Sequence, residues 1–165
     1  MKTLQRITTQ FDPVEDRIQL TGETEQNEKI CLWLTHRLFT SLIPHLIKWL
    51  QQQQTPSPDL NTLMGFHQTQ AMQRFNPSEP KVTMDKNSKS ILIQSIDLKM
   101  NDNIMQLSFK ANEDIYTIKF TQLGLQQWLT IVFNTYQNAN WYFDHWPVWL
   151  KKLQHWLLCT RVKSS

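Results

Sequence analysis

The chain has 165 residues, 17 basic against 14 acidic side chains for a net charge of +3, and a 40% hydrophobic composition with seven Trp and eight Phe. That apolar content excludes a disordered tail. The length suits a single domain over 1–165 that buries about 70% of its unfolded surface. A charge this mild permits an anionic partner without demanding one. The opening MKTLQRITTQ lacks the apolar run of a signal peptide, and no stretch is long and apolar enough to span a bilayer. Two cysteines, Cys31 and Cys159, stand far apart in different kinds of segment. A cytoplasmic protein with free thiols is the expectation.

In chain order, residues 4–11 and 17–21 read as short strands joined by the turn-forming Asp12, Pro13 and Asp16. Residues 22–28 are a polar turn. Residues 29–34 alternate Ile30, Leu32 and Leu34, the period of a half-buried strand. Beyond Thr35 the period changes. Leu38, Phe39, Leu42, Ile43, Leu46, Ile47 and Leu50 fall on one helical stripe, and the Thr35 side chain is placed to cap it. Pro44 has no amide for Thr40, which predicts a kink or break. A Pro-Ser-Pro connector follows. Asp59 is placed to cap a second helix that carries Leu60, Leu63, Met64, His67 and Ala71 on one face and ends by Phe75. Residues 76–89 are polar and are expected to be a mobile loop.

The second half repeats the grammar. Residues 90–100 read as one strand, 104–110 as the next, and Tyr116, Ile118 and Phe120 as the inner face of a third. Thr121 then caps a helix with the stripe Leu125, Trp128, Leu129, Val132, Phe133 and Tyr136. A final helix carries Trp149, Leu150, Leu153, Trp156 and Leu157. Aligned without gaps, Ile7 matches Ile96, Phe11 matches Met100 and Ile18 matches Leu107. After three extra residues in the first half, Ile30 and Thr35 match Tyr116 and Thr121. A pseudo-repeat of 4–75 and 90–158 is therefore expected, through ancient duplication or as the pattern of any meander feeding a helix. The fold class is α+β: an antiparallel six-stranded sheet system of two strand-strand-strand-helix-helix halves, with helices covering the apolar face.

No catalytic signature is present: no Gly-x-Ser-x-Gly elbow, no P-loop and no dinucleotide fingerprint. The five histidines, His36, His45, His67, His145 and His155, show no metal-ligand spacing, with His36 and His45 on the polar side of their helix. No catalytic residue, metal or cofactor is assigned. Cys31, with Lys29 and Trp33 on its face, is read as an inert thiol.

Two surfaces carry binding chemistry. If the aliphatic alternation points inward, Arg6, Arg17, Lys29, Trp33, Lys99, Lys110 and Lys119 point outward. Cations around an indole suit phosphates and a stacked base. A solvated antiparallel face would use the same side chains. The C-terminal quarter crowds Trp141, Tyr142, Trp146, Trp149 and Trp156, more aromatic surface than a core this size needs, and excess of that kind marks a protein contact. Meander-plus-helix units resemble in topology the PUR-repeat and Whirly proteins, which implies single-stranded nucleic-acid binding on the sheet. Those repeats have four strands before each helix where this chain has three. The element order also resembles the dimerising heads of end-joining scaffolds and centriolar cartwheel proteins. The leading expectation is a non-enzymatic interaction module that forms a homodimer, or takes a protein partner, through its aromatic region. Single-stranded nucleic-acid binding around Trp33 is the alternative.

Overall fold

The computed structural model describes residues 1–152; expectations for Leu153, His155, Trp156, Leu157 and Cys159 lie outside them. The fold is α+β. Three strands, β1 (Lys2–Asp12), β2 (Arg17–Thr24) and β3 (Lys29–Leu34), lead into α1 (His36–Gln52) and α2 (Leu60–Gln73). Four more strands, β4 (Lys89–Leu92), β5 (Ser95–Met100), β6 (Ile104–Ala111) and β7 (Asp114–Thr121), lead into α3 (Gln122–Asn138), and residues 148–152 are helical again.

One sheet contains all seven strands in the order β4-β3-β2-β1-β7-β6-β5. Hairpin partners within each half are antiparallel, as short connections require. The joints between halves are parallel: β1 meets β7 at Lys2↔Tyr116, and β4 meets β3 at Ile30↔Lys89. The sheet is therefore mixed and seven-stranded, not antiparallel and six-stranded. The difference arises within 90–100, read from sequence as one strand. Its first part bonds to β3 and its second to β6, at opposite edges of the sheet. Ile93 N–H donates to Trp33 O at 2.9 Å, and Gln94 N–H donates to Lys110 O at 2.8 Å. A flat seven-stranded sheet would hold its edge strands about 29 Å apart. Leu92 and Ser95 are three residues apart along the chain, a span of at most about 11 Å. The sheet must curl until its edges meet.

The registers also correct the alignment of the halves. Phe11 pairs with Ile18, and Met100 pairs with Met105. If Phe11 corresponds to Met100, Ile18 corresponds to Met105 and not to Leu107, because the Asp12–Arg17 turn is two residues longer. A two-residue shift preserves the inward face, which is why the pattern concealed it.

The inward set is as the alternation predicts: Ile18, Leu20, Leu32, Leu34, Met105, Leu107 and Phe109 are fully buried. α1, α2 and α3 supply Phe39, Ile43, Leu46, Leu50, Met64, Leu125 and Leu129 to the same core. The caps form as read. Thr35 Oγ1 accepts from Leu38 N–H at 3.3 Å, Asp59 Oδ1 from Thr62 N–H at 3.2 Å, and Thr121 Oγ1 from Gly124 N–H at 3.2 Å. α1 runs unbroken through Pro44. Pro44 itself is exposed while Leu42, Ile43, Leu46 and Ile47 are buried on both sides of it. Packing of that stripe outweighs the one missing amide.

Candidate interaction surfaces

The alternation places seven basic or aromatic side chains on the outer sheet face. Its side chains do point outward, but carboxylates meet most of the cations. Arg6 pairs with Glu23 at 3.2 Å, lies 3.9 Å from Glu79, and donates to Pro80 O. Arg17 pairs with Glu15 at 3.5 Å, Lys29 with Asp85 at 4.0 Å, and Lys110 with Asp97. Trp33 is half-buried, and its indole N–H donates to Ser90 Oγ at 2.7 Å. Lys99 and Lys119 are exposed and make no ion pair among the described residues. They flank Gln106 in one register row, Lys99–Gln106–Lys119.

Residues 76–88 explain much of this neutralisation. They bring Glu79, Pro80 and Asp85 to Arg6 and Lys29, and Val82 N–H donates to Thr8 Oγ1 at 2.8 Å. Val82 is buried, as are Thr21 and Cys31 in the outward row Thr8–Thr21–Cys31–Ser90. Burial raises the Cys31 thiol pKa against the opposing hydrogen bonds from Gln19 and Ser90. That favours the thiol over the nucleophilic thiolate.

The aromatic segment is divided. Trp146 and Trp149 are 4% and 2% exposed and belong chiefly to the core, which leaves little of either ring for a partner; this corrects their place among the interface candidates. Trp141 is half-buried. It stacks on His36 at 4.4 Å, meets Phe11 edge-on at 5.5 Å, and donates its indole N–H to Asp16 at 3.1 Å. His36 is thus part of an aromatic cluster and not a solvated polar residue. Tyr142 is 79% exposed. Its hydroxyl pKa is raised by hydrogen bonding to Asp144 and by that carboxylate's charge. Trp156 lies outside the described residues. Between Tyr136, Trp141, Tyr142, Phe143 and Trp146 opens a cleft of about 550 Å³, with Asp144 and Lys151 also lining it.

A third site has no signal in the sequence. Where the two parallel joints begin, Lys2, Lys29, Lys89 and Tyr116 line a cavity of about 390 Å³. Lys2 pairs with Glu28 at 2.5 Å and Lys89 with Asp114 at 2.6 Å; each hydrogen bond raises its lysine pKa. Burial, together with Asp114, raises that of Tyr116. These residues converge only because the sheet curls, which no local pattern encodes. Mixed pairs of this kind hold segments together but have no net charge to gather an ion.

Among the described residues no three His, Cys, Asp or Glu side chains converge as metal ligands, and no helix is long and apolar enough to cross a membrane. No protein-family model, curated protein or solved structure matches the chain.

Proposed function

We propose that this protein is a non-enzymatic interaction module that receives a segment of another protein in the aromatic cleft beside Tyr142. The supporting observation is the cleft itself: about 550 Å³ walled by aromatic rings, with both signs of charge among its lining residues. Aromatic walls around a concavity suit a buried anchor side chain. With Trp146 and Trp149 in the core, this region is a socket and not the broad face of about 800 Å² per partner that a stable dimer needs. The test replaces Tyr142 with a photo-crosslinking residue in cells, with the same replacement at Val14, 91% exposed, as the control. A discrete adduct with a different protein at position 142 and none at 14 is expected. No adduct, the same adduct at both positions, or only a crosslinked pair of this chain overturns the reading.

Single-stranded nucleic-acid binding is a second reading, favoured by the row Lys99–Gln106–Lys119, whose lysines make no ion pair among the described residues. With the other cations matched by acids, about two phosphate contacts are available. Anisotropy of a labelled oligothymidine should then show log K falling with log salt at a slope of about −1.4. A salt-independent signal, or one unchanged by Lys99→Ala with Lys119→Ala, rejects it.

A further inference from the structure

The two edges of a sheet are its open hydrogen-bonding rows, and among the described residues one of them here, beside which α1 lies, bonds no further strand. Among the described residues β5 pairs with β6 alone. The β5–β6 turn closes with Asn101 N–H donating to Ile104 O at 3.1 Å. Backbone groups alternate sides along an antiparallel strand. Ser95, Asp97 and Lys99 therefore turn their N–H and C=O groups toward β6, and Ile96, Leu98 and Met100 turn theirs away. Among the described residues no hydrogen bond reaches the main-chain groups of these last three. Ser95, Asp97, Lys99 and Met100 are exposed, with Met100 at 50%, while Ile96 and Leu98 pack only partly against the core.

An open edge is a template for another strand. The sequence of this one, Ser-Ile-Asp-Leu-Lys-Met, is complementary to itself. Consider a second copy running antiparallel about a two-fold axis at Leu98. Leu98 then faces Leu98 of the other copy, and Ile96 faces Met100, so all three outward-turned residues exchange hydrogen bonds. Asp97 faces Lys99 and Lys99 faces Asp97. Centring the axis on Asp97 or Lys99 would instead set like charges opposite each other, which is destabilising. Lys99, without an ion pair among the described residues, gains one. Asp97 already meets Lys110 on the neighbouring strand and would sit between two cations. We infer that two copies of this protein join edge to edge through β5, with Leu98 on the two-fold axis, into one continuous sheet. This deepens the interaction-module reading, on which it rests, by assigning self-association to an edge away from the Tyr142 cleft.

The test combines sedimentation of the full chain with hydrogen exchange. A dimer is expected. Lys99→Asp should weaken it about tenfold or more, since it turns two attractive cross-strand pairs repulsive. Combining Asp97→Lys with Lys99→Asp should restore association. The amides of Ile96, Leu98 and Met100 should gain protection as concentration rises. Those of Asp97 and Lys99, already bonded to β6, should not change. A monomer at about 100 μM, where a micromolar dimer is saturated, overturns the inference. So does a dimer indifferent to Lys99→Asp, a double variant that stays monomeric although folded, or Leu98 protection independent of concentration. Tyr142→Ala separates the two proposals. It should leave this dimer intact, and a dimer lost there would move self-association to the cleft and away from β5.

Discussion

β1 and β5 hold the same place in the two halves: each is the first strand of a meander, and each lacks a strand on one side for most of its length. Their surroundings differ. Along β1 the open side is roofed. Trp128 of α3 donates its indole N–H to Thr9 Oγ1 at 2.9 Å, and Trp141 packs on Phe11 and reaches Asp16. Along β5 the comparable indole, Trp49 of α1, reaches only Asn101 O, past the strand's end, at 3.0 Å. Arg6, Ile7, Thr8, Thr9 and Phe11 are half-buried and Gln5 and Gln10 exposed, whereas in β5 only Ile96 and Leu98 are half-buried and Ser95, Asp97, Lys99 and Met100 are exposed. Trp128 and Trp141 thus roof one edge, whereas α1 lies beside the other without bonding the main-chain groups that Ile96, Leu98 and Met100 turn away from β6.

The contrast can be broken hardest at Trp128. It is 3% exposed, stacks on Phe120 at 4.9 Å and bonds Thr9. Trp128→Ala should cost about 3–5 kcal/mol by urea unfolding; a loss below about 1 kcal/mol would mean α3 does not secure β1. A smaller effect is expected at Tyr136, which ties the roof to α1 by a 3.0 Å hydrogen bond with Thr40. Burial pushes its hydroxyl from 10.0 up to about 12, against the opposing hydrogen bond with Thr40. Below the unfolded value both states keep the proton and pH has no effect through this group. As pH rises from about 10 to about 12 the unfolded chain ionises first, so stability falls by up to about 2–3 kcal/mol. Tyr136→Phe should cost about 1 kcal/mol at neutral pH and remove that part of the alkaline slope. An unchanged alkaline unfolding profile would contradict the burial of this hydroxyl. The smallest effect belongs to β5. The Lys110–Asp97 pair is 38% and 57% exposed at its two side chains, so Lys110→Ala should change the monomer's stability by less than about 1 kcal/mol. A larger loss would mean the edge is more rigidly held than its exposure implies.

Local pattern carried a great deal of this architecture. Ile30 and Leu32 are buried, Trp33 lies on the opposite face, and three caps form where Thr35, Asp59 and Thr121 announce them. Such features depend on spacing within a few residues, so a linear reading reaches them. The basic face was legible as a list of side chains but not as a surface. Arg6 and Lys29 are matched by Glu79 and Asp85, more than fifty residues away. Buried Gln68, whose amide donates to Gln126 O and Thr130 Oγ1 at 2.6 Å each, was equally hidden, because a polar residue on a helix announces no distant partner.

By itself, the order of residues determined which side chains turn inward and where strands give way to helices, since both follow from the two- and 3.6-residue periods of the backbone. Only the tertiary structure decided which strands are neighbours, that the run from Lys89 to Met100 divides between opposite edges, and which aromatics are core. Periodicity reports the face a residue occupies; the partner beside it is chosen by the curl of the whole sheet.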